Sequence, residues 1–296
     1  MRFVVAVTNN SWFAYLRARA MDEVNFWSPG TAAVNLAPGT LWLFKLHAPV
    51  NCVVGGGYFV HRTQLPLRMA WDTFGEENGA PTYDTFRKLI GKDGPGDVIG
   101  CTVLSETFYW PEELWLPSPP NWSKNIVSNK RYDANAPAIA TFWQSVVERL
   151  PPAASLQAET PVSSWIGKPV LRIPRLGQGG FRAQIIDAYA RRCAVTGERT
   201  LPALEAAHIV PFAETQNHDL RNGLLLRADL HKLFDDGYVT VDPTFHFHVS
   251  RRIKDEFENG RDYYALHGRE IGRPADTSVV PDPQYLEAHA TRIYKG

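Results

Sequence analysis

"LEAAHIVPFAETQNHDLRNGLLLRADLHKLFDDG", residues 204–237, carries three of the chain's nine histidines. "LEAAHIV" reads as a strand and "GLLL" as a second, short one. "ADLHKLFDDG" reads as a helix, stopped by Gly237 at its C-terminal end. The polar stretch between the strands ends in an Asn-Gly pair and reads as a loop and turn. His208 closes the first strand, Asn222 follows fourteen residues later, and His231 nine beyond that. His231 and Asp235 stand four apart on the helix, a spacing that puts both on one face within reach of a single metal ion.

Outward from this core, "FRAQIIDAYARR" places Ile185, Ile186 and Tyr189 at helical spacing. A loop, "CAVTGERTLP", leads from it to the first strand. "YVTVDPTFHFHVS" reads as a hairpin turning at Asp242–Pro243. His246 and His248 alternate there opposite Phe245, Phe247 and Val249, which fits a wet face backed by an apolar one better than a metal pair. His218, in "TQNHDL", reads as a loop residue.

The first 120 residues are rich in tryptophan, glycine and β-formers. "RFVVAVT", "GTLWLFKLHAP", "VNCVVGGGYFVHRTQLP" and "VIGCTVLSETFYW" read as strands. The third is interrupted at Gly55–Gly57, where a bulge or a close approach by another group is expected. "SWFAYLRARA" is expected to be a helix capped by Asn10 or Ser11, and "APTYDTFRKLIG" a helix ending at Gly91. "ATFWQSVVERL" is a helix stopped by Pro151 and Pro152, and "PPAASLQAETPVSS" has linker composition. The fold class expected is α+β, with a mixed, barrel-like β domain over 1–132, a helix and linker over 133–175, and a second domain over 176–296.

With 44% hydrophobic and 21% charged residues the composition is that of a globular protein. No apolar run approaches the roughly 20 residues of a membrane helix, and "MRFVVAVTNN" turns polar too soon for a secretory signal. Three cysteines without a CxxC pair fit a reducing compartment. A cytoplasmic location without membrane contact follows as an expectation. Thirty-one basic and thirty-one acidic residues cancel, so nucleic-acid binding would need local clusters such as Arg172, Arg175 and Arg182.

The strand–loop–strand–helix order with His208, Asn222 and His231 resembles the HNH, or ββα-metal, endonuclease motif. The wider text, "RLGQGGFRAQIIDAYARRCAVTGERTLPALEAAHIVP" through "NGLLLRADLHKLFDDGYV", resembles a bacterial HNH group found among restriction-type enzymes. The resemblance implies that His208 is a general base whose other ring nitrogen is held by a backbone carbonyl, and that Asn222 ties the loop between the strands. It also implies that His231 and Asp235 hold one divalent ion. Magnesium or manganese suits so water-rich a site, with zinc or nickel as further candidates, and the products would carry a 5′-phosphate. Ala207 stands where many relatives have a ligand, and Glu205 is the candidate to replace it. Arg182, Arg199 and Arg227 are candidate DNA contacts. Cys193 sits where zinc-stapled relatives begin a CxxC, but Thr196 replaces the second cysteine, so a small core thiol is expected.

The front half resembles, more loosely, the EVE branch of the PUA-like superfamily, through "FVVAVTNNSWFAYL", "VNFWSPG", "LAPGTLWLFKLHAPVNCVVGGGYFV" and "YWPEELWLPSPPNWSKNIVSNKRYD". That resemblance implies a pocket for a flipped, modified base. Trp12, Trp27, Tyr58 and Trp71 are the candidate stacking rings, and Asn10 and Ser11 the candidate polar readers. The whole then reads as a modification-dependent restriction endonuclease acting on double-stranded DNA that carries a modified, cytosine-derived base, with a homodimer as one route to cutting both strands. The rivals are a cleavage-dead sensor of modified DNA and a nonspecific or RNA-directed nuclease.

Overall fold

The computed structural model describes the chain apart from residues 1, 33, 93, 95, 124, 152–176, 216 and 217. The expected linker from Pro152 onward, with Arg172 and Arg175, lies outside the described residues. Contacts divide the chain into two compact units, 1–175 and 176–296.

The first unit is built on one sheet. Its strands are β1 (Arg2–Thr8), β2 (Val24–Ser28), β3 (Leu41–Leu46), β4 (Cys52–Pro66), β5 (Val98–Tyr109), β6 (Leu116–Pro117) and β7 (Asn129–Asp133). Their order is β2-β5-β4-β3-β1-β7, with β6 added to β4. Only β1 and β3 run parallel. Among the described residues β2 and β7 end the sheet without pairing to each other, so the barrel-like character expected from the sequence stops short of closure.

Both faces of this sheet are buried, which explains why "LWLFKL" is apolar throughout rather than alternating. Phe3, Val5, Leu41 and Leu43 pack on one face with Phe142 and Val146 of helix α4 (Ala140–Val147). Val4, Ala6, Trp42 and Phe44 pack on the other with Trp12, Phe13 and Leu16 of helix α1 (Asn10–Arg19). Helix α4, which the sequence places with the linker, thus contributes to the first unit's core. Helices α2 (Leu67–Phe74) and α3 (Tyr83–Ile90) follow β4.

The cap of α1 is Asn9, not Asn10 or Ser11. Its Oδ1 accepts the N–H groups of Ser11 at 2.9 Å and Trp12 at 3.1 Å. Asn10 lies already inside the helix and accepts instead from the His47 N–H at 3.0 Å. The glycine run of β4 meets backbone. Gly55 has φ +154°, and a Cβ there would fall on the carbonyl oxygen of Phe108 in β5. The pairing register of β4 and β5 slips beside it, between Gly56 and Tyr58.

In the second unit helix α5 (Gln178–Ala188) packs on a hairpin of β8 (Leu204–His208) and β9 (Gly223–Arg227), joined through the short helix α6 (Phe212–Thr215). Helix α7 (Ala228–Asp235) runs directly on from β9. Strands β10 (Val239–Val241) and β11 (Phe247–Val249) form the second hairpin, and α8 (Arg252–Phe257), α9 (Arg261–Tyr264) and α10 (Pro283–Arg292) complete the unit. Phe247 and Val249 are buried, while His248 pairs with Asp242 at 2.7 Å. Cys193 is buried. No helix among the described residues is long and apolar enough to cross a membrane.

The Asn-Gly pair is not a turn but the entry to β9. Asn222 is wholly buried; its Oδ1 accepts the Val210 N–H at 2.8 Å and its Nδ2 donates to the Val210 carbonyl at 2.9 Å. Its own carbonyl accepts from Ile209 at 2.9 Å. Gly223 pairs with His208 across the hairpin, and any Cβ there would collide with Ile185 and Phe181 of α5.

Two outcomes are expected in urea unfolding of the full chain. Gly55→Ala should cost about 2 kcal/mol or more, because the left-handed backbone and the Phe108 carbonyl both oppose a side chain. Asn222→Ala should cost about 2–4 kcal/mol, since it strands one donor and one acceptor in the interior. Asn222→Asp should fail to restore stability, because it points a carboxylate oxygen at a carbonyl.

Candidate functional site

One cavity of about 500 Å³ in the second unit collects most of the expected site residues: His208 and Glu205 of β8, His231 and Asp235 of α7, and Arg182 of α5. Asn222 stays out of it and acts on the chain just after His208 through the contacts above.

His208 lies flat on Phe181, with ring centroids 4.1 Å apart and planes 8° from parallel. Its Nε2 is not held by a backbone carbonyl, as the resemblance implied. It faces Nδ1 of His218 at 3.0 Å, and His218 in turn stacks on Phe212 at 4.4 Å. Among the described residues Nδ1 of His208 has no hydrogen-bond partner. Burial first, then the neighbouring His218 and His231, pull His208 down to about 4, so its ring is neutral at cellular pH. Burial also lowers His218.

His231 is held from both sides. Its Nδ1 donates to Glu205 Oε2 at 2.7 Å, and its Nε2 lies 3.4 Å from Asp235 Oδ2. Glu205 therefore sits on the ring nitrogen opposite the one that faces Asp235 and orients the ring. This carboxylate–imidazole arrangement is the kind that fixes the tautomer of a metal-binding histidine. Ala207 is fully buried, so position 207 contributes nothing to the cavity wall.

The donor set fits a divalent ion. An ion about 2.1 Å from one nitrogen and one oxygen requires those atoms to lie roughly 3.0–3.4 Å apart, and the His231–Asp235 pair meets this. Burial raises the Asp235 carboxyl above its usual range, a cost that a cation would offset. Among the described residues no three His, Cys, Asp or Glu side chains form a metal-binding group, so an ion here would have two protein ligands.

The expected DNA contacts divide. Arg182 lines the cavity and Arg199 is exposed. Arg227 is committed elsewhere: its Nε and Nη2 meet both oxygens of Asp229 at 2.6 and 2.7 Å, which holds its charge in the fold. Besides His218, the sequence reading missed His289 of α10, which lines the cavity. It stacks on Phe234 at 3.6 Å, donates from Nε2 to the Phe234 carbonyl and pairs through Nδ1 with the Thr240 hydroxyl. Burial pulls it to about 4.

The first unit holds a separate cavity, also of about 500 Å³. Of the six residues expected in a base pocket, only Trp12 and Trp27 line it. Trp71 packs instead beside Tyr83 and Phe86, and Tyr58 against the opposite core. Asn10 and Ser11 are also absent from the lining. Trp27 donates its indole N–H to the Asn78 carbonyl at 3.0 Å. Phe26, Trp42, Ser28, Arg62 and Arg131 line the cavity without having been singled out, and among the described residues no carboxylate does. Arg62 donates to the hydroxyls of Thr102 at 2.6 Å and Ser28 at 2.9 Å and to the Ala32 carbonyl at 3.0 Å. Burial lowers its pKa. Its partners are neutral oxygens, so its charge is not cancelled inside the protein.

No curated protein matches the chain. Among solved structures it is similar to the ASCH protein of Zymomonas mobilis, at 12% identity over 49% of this chain and 94% of that one, with a TM-score of 0.33. Two single-substitution variants of that protein give the same identity and TM-score, over 49% and 48% of this chain and 96% and 94% of theirs. Residues 193–242, which run from Cys193 through β8, β9 and α7 to Asp242, match the family described as HNH endonuclease. The second unit of this chain thus contains a segment similar to the HNH endonuclease family, and its cavity is built from that segment together with α5 and α10.

Proposed function

We propose that the chain is a metal-dependent endonuclease that cuts double-stranded DNA bearing a modified, cytosine-derived base. The observation that carries the reading is one cavity in which a neutral imidazole whose Nδ1 has no partner among the described residues (His208) and a His–Asp pair (His231, Asp235) are brought together within a segment that matches the HNH endonuclease family.

His208 is the general base. Its neutral ring takes a proton from the attacking water at cellular pH. The stacked Phe181 and the Asn222 clip hold that ring against recoil. His231 Nε2 and Asp235 Oδ2 would hold the ion, magnesium or manganese before zinc or nickel, and Glu205 leaves Nε2 bare by accepting a hydrogen bond from the Nδ1–H. Bound there, such an ion would supply Lewis-acid stabilisation of charge at the phosphate and the leaving oxygen. Arg182 contributes positive charge on the same wall, and the cut leaves a 5′-phosphate and a 3′-hydroxyl.

The cavity of the first unit is the base pocket of this proposal. Trp12, Trp27 and Trp42 offer aromatic faces and edges, and a carboxylate-free lining with two arginines suits an electron-rich nucleotide. The protein acts in restriction of modified DNA, in the cytoplasm, with pairing of two copies as the route to a double-strand break.

A digestion panel of duplexes differing only in cytosine modification, with magnesium or manganese, tests the reading. Cleavage confined to modified duplexes is expected; equal cutting of all duplexes would point to a nonspecific nuclease, and binding without nicks to a sensor. His208→Ala should slow cutting by about 100-fold or more while binding persists. Because the His208 ring is neutral down to about 4, cleavage should remain near its plateau at pH 5.5, where an ordinary histidine, with a pKa of about 6.5, would already be mostly protonated. Trp27→Ala should weaken binding of modified duplex by about 1–3 kcal/mol. Trp71→Ala, whose ring is outside the cavity, should leave binding unchanged.

A further inference from the structure

Resting on the reading of His208 as the base, we infer that His218 is its positioning residue: it holds the Nε2–H of His208 and so keeps Nδ1 bare for the water. Two imidazole nitrogens 3.0 Å apart need one proton between them. If His208 donates from Nε2, its Nδ1 is a lone pair, and His218 accepts on Nδ1 and carries its own proton on Nε2. If His218 donates from Nδ1, His208 must carry its proton on Nδ1 and cannot act as a base there.

The first arrangement puts both rings in the Nε2–H form, the intrinsically favoured tautomer of a free histidine side chain. The second puts both in the disfavoured one. Packing then protects the choice. Phe181 lies on His208 and Phe212 on His218, at 4.1 and 4.4 Å between centroids, so neither ring turns over without breaking a stack. The two rings also divide in their exposure to the site, since His208 lines the cavity and His218 does not. The proton of the resting base is thus stored on the side away from the reacting phosphate. When the water O–H bond breaks and an N–H bond forms at Nδ1, the imidazolium charge is stabilised by the existing Nε2–H···Nδ1 bond.

The test combines imidazole ¹⁵N NMR of the histidine-labelled full chain with single-turnover cleavage at saturating modified duplex. The expected spectrum shows His208 protonated at Nε2 and bare at Nδ1, and His218→Ala should give a mixture of the two tautomers. His218→Ala should cut at least about tenfold more slowly, as a misassigned tautomer of a catalytic histidine can cost far more, with DNA affinity unchanged. His218→Asn, whose carboxamide oxygen can accept the same Nε2–H, should restore both the tautomer and most of the rate. A wild-type spectrum with the proton on Nδ1 of His208 would overturn the inference, as would a His218→Ala protein that keeps the tautomer and the rate. Should the wild type bind and not cut, the nuclease reading falls by itself, and the spectrum still decides the tautomer.

Discussion

The arrangement of the second unit depends on one buried side chain, Asn222, bonded at both ends to the same residue. A carboxamide offers a donor and an acceptor side by side, and Val210 presents its N–H and carbonyl to them as a strand would. Each bond contributes only about 1 kcal/mol net, yet each partner left unmade would cost more than that. The clip therefore specifies position more than it adds stability. It ties the residues after His208 to the residue that precedes β9, a strand that runs without a break into α7. His208 lies two residues from Val210 and His231 nine from Asn222, so the clip connects the two histidines by a path that does not run through the loop between the strands.

Around that clip, aromatic rings set the electrostatics. His208 is neutral because Phe181 and the cavity wall remove it from water, and a second imidazole, not a carboxylate, shares its hydrogen bond. A carboxylate at that place would raise the ring's proton affinity and charge it. The carboxylates are gathered instead around His231, where Glu205 and Asp235 flank one ring and leave an excess of negative charge suited to a cation. One short segment thus keeps one histidine uncharged and surrounds another with acid, by burial in the first case and by charge in the second.

Local pattern was enough to read β1, β3, β4 and β5 of the first unit but not the short β2, β6 and β7, and it gave the ββα order of the second and the four-residue step from His231 to Asp235. What escaped the sequence was set by contacts between distant or non-periodic positions. Helix α2 begins after Pro66 with no side-chain cap, so it carries no start signal. The parallel pairing of β1 with β3 has no local signature. Arg227 and Asp229 are two apart, a spacing that does not face across a helix, and they pair only because a strand passes into a helix between them. His218 meets His208 with its ring stacked on Phe212; no residue type or interval in "TQNHDL" announces it. The aromatic pocket was half legible for a related reason. Trp12 and Trp27 belong to stretches that look unusual, whereas Trp42 sits in a run that reads as plain core, because a sheet buried on both faces hides which of its residues border a void.

The same reasoning bears on the chain's neutrality, which from composition alone weighs against a nucleic-acid partner. Potential at a site is set by charges within about a Debye length, roughly 8–10 Å, and not by the sum over the chain. Much of the charge here is spent in pairs at the surface, such as Arg221 with Asp219 and Asp282, Arg252 with Glu256, and Lys232 with Asp236. Such exposed pairs contribute little to stability, but they remove charges of both signs from the outward field. The two cavities are sorted in opposite senses. The first has two arginines and no acid, and so favours an electron-rich or anionic ligand. The second has two carboxylates about one imidazole, and so favours a cation, with Arg182 beside them. A chain whose charges cancel overall can in this way present one cavity that favours an anionic ligand and another that favours a cation.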